Sequence, residues 1–408
     1  MHILFLSDNF LPESNAPAKR TFEHCKTWVQ LGHRVTVITC FPNFPRGEVY
    51  PGYKNKLYEK SVIQGIEVVR VFTYMTANDG VWRRTLDYAS FMVASFIAGI
   101  FVSKPDVLIA TSPQFFTACA GSLLSRCRGL RWVLEIRDLW PDSIEAVNVV
   151  SAKPAISLLR NIEDKLYSHA NLIVTVSDGI RQNLVSRGLP PEKVVTYTNG
   201  FDFSVNPKII AVPEPPEIAL DRPRVGYIGT HGLAHGLEAL VAAAQLLTAD
   251  FGRPDIQIIF MGDGAQKNRL KALASSLNLR NIIFLDPVPS GEVMGYWRLL
   301  DLAVIHLLDK PAFRDVIPSK LFESMAAGVP VVHCVAGESA RLVEQLNIGR
   351  VVPAENPLEI AKAILELLND EKNRVELSRN AEAAAHLFNR REIAAALVNC
   401  IEEVINSA

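Results

Sequence analysis

A chain of 408 residues is too long for one ordinary hydrophobic core and fits two domains of about 200 residues each. With 49% hydrophobic and 21% charged residues and a formal net charge of −1, it lacks the basic excess that nucleic-acid binding uses, so no nucleic-acid partner is expected. Six cysteines, at positions 25, 40, 119, 127, 334 and 400, form no CxxC pair and no zinc-ligand spacing, and are too sparse to staple the chain. No metal site is expected, and a reducing cytoplasm is the simplest setting.

The segment Met1-His-Ile-Leu-Phe-Leu-Ser7 carries no basic n-region or small-residue cleavage site, so it reads as a buried strand rather than an export signal. Strand Ile3–Leu6, a helix from about Ala18 to Leu31 stopped by Gly32, and strand Val35–Thr39 make a βαβ opening. The uncharged stretch Tyr88–Ser103 falls short of the ~20 residues needed to span a bilayer. Its large apolar residues predict a helix buried mostly in the core. Val107–Ala110, Trp132–Ile136, Leu172–Val176 and Val194–Tyr197 have the continuous hydrophobicity of strands covered on both faces, predicting one parallel sheet for the first half.

Between Asn199 and Arg222 the Pro-rich texture can sustain neither helix nor central strand. The first domain is therefore read as 1–205, the linker as 206–222 and the second domain as 223–387. A second doubly wound pattern follows, with strands at Val225–Ile228, Ile256–Met261, Ile282–Leu285, Leu302–Ile305 and Val331–Cys334. A last helix, about 388–408, lies beyond the second domain's complement and is expected to cross back to the first. Open α/β sheets bind ligands beyond the carboxyl ends of their strands, so two such Rossmann-like domains facing each other would enclose a cleft lined by strand-to-helix loops.

The sharpest local signal is Pro318-Ser-Lys-Leu-Phe-Glu-Ser-Met-Ala-Ala-Gly-Val-Pro330, which reads as loop, helix, stop and strand. Free backbone N–H groups at such a helix start attract phosphate, and Lys320 adds a full positive charge. Glu323, three residues on, shares that face, and its carboxylate can accept two hydroxyl hydrogen bonds from a ribose. The bland alternatives are a surface Lys–Glu pair or a capping box, but Ser319 and Glu323 are four apart where a box needs three.

This segment resembles the donor-site signature of the family-4 retaining glycosyltransferases of GT-B fold, particularly the bacterial polysaccharide and O-antigen enzymes, fucosamine transferases among them. In that family two acids eight positions apart form an E-x7-E pair, and here Asp315 and Glu323 hold that spacing, the first acid being shortened. The resemblance implies that Glu323 holds the donor's ribose and Lys320 its diphosphate, with Ser319 and Leu321 beside them. Gly226-Tyr-Ile-Gly-Thr-His-Gly-Leu-Ala-His-Gly236 looks like the family's first donor-domain loop, which puts Gly229, Thr230 and Gly232 against the phosphate or sugar. Met261-Gly-Asp-Gly264 matches the family's GDG, implicating Gly262 and Asp263, although a tight turn after a strand serves equally. Backbone groups near Val288 would read the base. His231 is assigned to the cleft or acceptor side, while a histidine in such a turn is ordinarily a solvated cap.

In the first, acceptor-side domain, Asp8-Asn-Phe-Leu-Pro-Glu-Ser-Asn-Ala-Pro-Ala18 lacks G-x-G-x-x-G, which disfavours a nicotinamide or flavin dinucleotide; no cofactor is expected, the nucleotide sugar being a co-substrate. Asn15 is a candidate donor to sugar or phosphate, or a turn former. Where relatives carry His-Asp, this chain has Arg137-Asp138, read as catalytic or else as a buried ion pair at the strand end. Without that histidine, the resemblance implies a metal-independent front-face route in which the leaving diphosphate takes the acceptor's proton and Lys320 and Arg137 stabilise its charge. The implied donor is a UDP-sugar, an N-acetylated deoxyhexosamine among the options, and the implied acceptor a polyprenyl-diphosphate-linked saccharide at the inner-membrane surface. Arg83, Arg84, Lys104, Arg126, Arg128 and Arg131 surround the apolar segment as a headgroup-docking surface would, or as plain solvated arginines. A nucleotide-sugar epimerase and a catalytically silent sugar-binding homologue share this architecture.

Overall fold

The structure is a computed structural model that describes residues 1–44, 46–76, 81–112, 114–146, 153–204, 210–211 and 215–406. It divides into two compact units, Met1–Thr198 with Arg390–Ala408, and Asn199–Asn389. The division falls at Thr198/Asn199, earlier than the expected 206–222 linker, of which 206–209 and 212–214 lie outside the described residues.

The first unit runs β1 (His2–Leu6), α1 (Ala16–Gln30), β2 (Arg34–Cys40), β3 (Tyr58–Ile63), β4 (Ile66–Val71), α2 (Val81–Phe101), β5 (Val107–Ser112), α3 (Phe115–Arg128) and β6 (Arg131–Ile136). It continues through α4 (Asp142–Ala146), α5 (Lys153–His169), β7 (Leu172–Thr175), α6 (Asp178–Ser186) and β8 (Val194–Thr196). The sheet order is β3-β4-β2-β1-β5-β6-β7-β8. Two-residue periodicity gives the central strands two buried faces: Leu4 and Leu6 pack with Phe91 and Leu124, whereas Ile3 and Phe5 pack with Trp28, Val398 and Ile401. Each such side chain contributes about 1.5–3 kcal/mol by leaving water.

Two expectations for this half need correcting. The sheet is mixed rather than parallel: β3 runs antiparallel to β4 because only Gln64 and Gly65 join them, both at positive φ (49° and 83°), the geometry of a tight hairpin. And α2 is not mostly core. Phe91 is buried, but Ile97, Ile100 and Phe101 are 51%, 40% and 82% exposed, because its apolar residues encircle the helix while only one side meets the sheet.

The last helix, α14 (Arg390–Asn406 in the chain), belongs to this first unit. Trp28 Nε1 donates to the Ala394 carbonyl at 2.8 Å, and Arg390 pairs with Glu23.

The second unit comprises β9 (Arg224–Ile228), α7 (Glu238–Ala249), β10 (Gln257–Met261), α8 (Lys267–Ser276), β11 (Ile282–Leu285), α9 (Val293–Leu299) and β12 (Leu302–His306). After these come α10 (Ser319–Ala327), β13 (Val331–Cys334), α11 (Glu338–Leu346), β14 (Gly349–Val351), α12 (Pro357–Asn369) and α13 (Glu371–Ala385). Its sheet, β11-β10-β9-β12-β13-β14, is parallel throughout. The strand order reverses on either side of β9 and β12, so the loops after these strands stand at the switch point where such sheets take ligands.

Candidate functional site

The loop after β9 and the start of α10 meet. Pro318 caps α10 without a side-chain hydrogen bond, and Lys320 lies in its first turn. The Lys320 side chain is buried. Its Nζ donates to the Tyr227 hydroxyl at 2.5 Å and stands 3.9 Å from that ring's centroid. The Tyr227 hydroxyl in turn donates to the Thr230 carbonyl at 2.8 Å. Gly229, at φ 140°, passes directly over the ammonium: a Cβ there would sit 3.3 Å from Lys320 Nζ. No carboxylate pairs with Lys320 among the described residues. Burial therefore pushes its ammonium down to about 7, with Glu323 pulling it back up.

Glu323 is half-buried and accepts from Trp297 Nε1 at 3.2 Å, so a fully buried indole fixes the carboxylate's direction. Ser319 and Asp315 are half-buried, Ser319 as the first residue of α10 and Asp315 in the preceding loop. That loop is held from behind: Glu338 N donates to the Arg314 carbonyl at 2.9 Å. The Leu321 side chain is fully buried and its N–H closes the first turn on Pro318 O at 3.0 Å.

The glycines after β10 are explained by backbone packing. Gly262 (φ 140°) and Gly264 (φ 152°) let the two loops touch: a Cβ would lie 1.9 Å from Gly229 O and 2.5 Å from His231 O respectively. Gly229 N donates to Met261 O and His231 N to Asp263 O, both at 2.9 Å. Lys267, buried at the start of α8, ties the strand ends by donating to Gly262 O (2.7 Å), Leu285 O (3.1 Å) and Asp286 (2.7 Å). Gly232 has an ordinary φ of −99° and opens the short turn to His235. Val288 is half-buried in the loop that follows β11.

His231 overturns the expectation of a solvated cap. It is fully buried against Tyr227 and Phe260, with neither ring nitrogen hydrogen-bonded, and burial plus the Lys267 and Lys320 charges push it down to about 4. The sequence reading missed Tyr227, Trp297 and Lys267. The one available signal was a tyrosine inside a buried strand, whose hydroxyl must find a partner.

In the first unit, Arg137 and Asp138 follow β6 and are both half-buried. They do not form the ion pair considered from sequence: Arg137 Nε donates to Ser112 O at 3.2 Å. Burial pushes the Asp138 carboxyl up to about 6 while the Arg137 charge draws it down. Asp8, at the end of β1, is likewise raised by burial. The strand-end ion pair is Arg20–Glu135 instead, at 2.9 Å and fully buried. Asn15 serves as the N-cap of α1, accepting from Ala18 N at 2.9 Å and donating to Asn9 at 2.5 Å.

Two family models match the chain: the glycosyl transferase 4-like domain over residues 15–200 and glycosyl transferases group 1 over residues 210–384. The chain is 27% identical over 343 residues to the putative colanic acid biosynthesis glycosyl transferase WcaI of Escherichia coli, covering 80% of this chain and 82% of that one. Among solved structures it is similar to the sucrose-phosphate synthase of Thermosynechococcus elongatus (TM-score 0.79, 16% identity, all of both chains covered). It is also similar to Anabaena HepE in complex with UDP and glucose (TM-score 0.71, 18% identity, 98% of this chain and 99% of that one). With two matched glycosyltransferase models in tandem along two α/β units, one with a parallel sheet and one parallel but for the edge strand β3, the chain belongs to the glycosyltransferases of GT-B fold.

Proposed function

We propose that this enzyme transfers a sugar from a UDP-sugar, with retention of anomeric configuration, to a lipid-linked saccharide during bacterial surface-polysaccharide synthesis. The observation that carries the donor reading is the Lys320 ammonium, buried without a carboxylate partner under the open backbone of Gly229. A buried cation in that setting is stabilised by an anion, and a diphosphate supplies one. The start of α10 adds its backbone N–H groups. Glu323, aimed by Trp297, takes the ribose hydroxyls, Asp315 stands for the family's first acid, and Val288 lies beside the base. The UDP assignment is supported by the HepE complex, and the polysaccharide setting by the relative named for colanic acid biosynthesis.

For the chemistry, Lys320 and the helix start stabilise charge growing on the leaving diphosphate, and that diphosphate takes the proton of the acceptor hydroxyl. Arg137 and Asp138 belong to the acceptor side. No metal is assigned a step. The test is incubation of the purified chain with a panel of UDP-sugars, with and without a polyprenyl-diphosphate-linked saccharide. Acceptor-dependent release of UDP supports the reading. Conversion of the free nucleotide sugar without acceptor would make the chain an epimerase, and stabilisation by UDP-sugars without turnover would make it a binding homologue.

A further inference from the structure

The strand order of the first sheet reverses on either side of β1 and β5, with β2 beyond one and β6 beyond the other, and such a switch point is where open sheets take ligands. Asp8 follows β1 there, Gln114 precedes α3, and Arg137, Asp138 and Trp140 follow β6. The side chains of Asn9 and Gln114 hydrogen-bond Asp8, and Arg137 N donates to Ser112 O at 3.3 Å, so the three strand ends are tied together.

The catalytic reading uses Arg137 and Asp138 but gives Trp140 no task. Leu139, between Asp138 and Trp140, is buried in the core, while both of its neighbours stay half-buried. Phe115, itself a core residue, stacks on Trp140 with ring centroids 4.4 Å apart and planes 25° from parallel. It fixes the indole and covers one face, so the accessible remainder is a flat apolar surface held rigid at the strand ends. A rigid aromatic with a few convergent polar groups is what a small-molecule site is built from.

The polar groups select the ligand. Asp138 has no hydrogen-bond partner among the described residues, which leaves its carboxyl able to accept from a hydroxyl. Pyranose rings carry C–H groups on their faces and hydroxyls at their rims, so a sugar laid on the indole turns its rim to that carboxyl. Burial raises Asp8, and Asp87 is pushed up to about 7 by burial and by the Asp8 charge. Arg137 already draws down both Asp8 and Asp138, so its charge is shared between them. A further carboxylate on the ligand would meet like charge here.

On the saccharide-acceptor reading, we propose that Trp140, seated on Phe115, is the platform on which the sugar ring receiving the transfer stacks. Asp138 accepts one of its hydroxyls, and the subsite selects an uncharged pyranose over a uronic acid.

The full chain, with and without UDP, is titrated with the methyl glycosides of glucose and galactose and with methyl glucuronide and methyl galacturonide, and binding is followed by saturation-transfer NMR. Irradiation of the aromatic protons is expected to saturate C–H protons on one face of at least one neutral ring, with the matching uronide bound about tenfold or more weakly. Trp140→Phe keeps a flat ring over Phe115 and stays within about threefold of wild type. Trp140→Leu keeps an apolar side chain without the flat face and loses about tenfold or more. Both variants are checked for wild-type circular dichroism and melting. In Asp138→Asn the gap between neutral and acidic glycosides narrows to about threefold or less. The proposal is overturned if no neutral glycoside receives saturation from wild type, a result that needs no variant to fold. It is overturned as well if Trp140→Leu binds as wild type does, or if the uronides bind as tightly as their neutral partners. An unchanged gap in Asp138→Asn removes that residue from the subsite. Calorimetry with UDP on the same samples separates the two readings: glycoside binding without UDP binding keeps the platform and removes the donor site, and UDP binding without glycoside binding does the reverse.

Discussion

Lys320 Nζ and the Tyr227 hydroxyl meet at 2.5 Å, and that single contact joins two segments 93 residues apart in the chain. The Tyr227 hydroxyl accepts from the ammonium and donates its own hydrogen bond to the Thr230 carbonyl. The ammonium is therefore aimed by a neutral oxygen and keeps its charge for a ligand. A carboxylate in the same place would have neutralised it.

Donor binding should depend on pH through Lys320. Its amine titrates at about 7 in the free protein, and a diphosphate beside it favours the protonated form. Burial holds the neighbouring His231, His235 and His306 below their ordinary value, so they stay neutral through this range. The affinity for a UDP-sugar, whose doubly esterified diphosphate does not titrate near neutrality, is expected by calorimetry to be flat below about pH 7. Above that it should weaken towards about tenfold per pH unit, with a proton taken up on binding. A flat profile to pH 9 would remove Lys320 from the diphosphate.

The same shift has a consequence for stability. The folded-state value lies below the ordinary lysine value of 10.5, so between about 7 and 10.5 the unfolded chain holds a proton that the folded chain has released. The Lys320 contribution thus makes stability rise with pH across that window. In Lys320→Met the rise should be smaller than in wild type, as urea unfolding at pH 7 and pH 9.5 will show.

Substitution at the donor residues should cost activity without loss of fold. Lys320→Ala and Glu323→Ala each remove a charge-assisted contact worth about 2–3 kcal/mol, or roughly 30- to 150-fold in kcat/KM for the UDP-sugar. Tyr227→Phe keeps the ring under the ammonium and removes only its hydroxyl partner. It should raise the donor KM and move the pH profile, while the melting temperature changes little. Wild-type kinetics in both alanine variants would place the donor elsewhere.

The central strands of both sheets were legible in the sequence because strands buried on two faces are continuous apolar runs; β4, its run broken by Glu67 and Arg70, and the three-residue β14 were not. β3 was not, since an edge strand of alternating exposure, Tyr58-Glu-Lys-Ser-Val-Ile63, has no run to see. The α10 motif was legible for a local reason: helix start, lysine and carboxylate all lie within one turn. Tyr227 and Trp297 were hidden because their partners are distant in sequence. His231 was misjudged because a turn histidine looks solvated until the next loop, admitted by Gly262 and Gly264, closes over it.

That closure gives a third kind of test. Gly262→Ala must fit a methyl group where Gly229 O lies 1.9 Å away, at a φ of 140° that L-residues rarely adopt. Neither backbone can yield without breaking the Gly229 N to Met261 O bond. The expected cost is about 3 kcal/mol or more, read as a lowered urea midpoint, together with loss of UDP binding. Gly291→Ala, where a Cβ meets nothing within 4 Å, is the neutral control.

The stereochemical prediction follows from where the charges lie. An inverting transfer needs a base opposite the leaving group, and a double displacement needs a side-chain nucleophile. Within the second unit Lys320, at the start of α10, pairs with no carboxylate among the described residues. That arrangement stabilises a departing diphosphate and leaves its oxygen as the base for a hydroxyl on the same face. Proton NMR of the first-formed product should show the donor's anomeric configuration, and rapid quenching with mass spectrometry should find no glycosylated enzyme. Asp138→Asn removes a carboxyl raised to about 6. It should leave the configuration retained and act mainly on the acceptor KM. An inverted product, or loss of all turnover in Asp138→Asn with donor affinity intact, would instead make Asp138 the base.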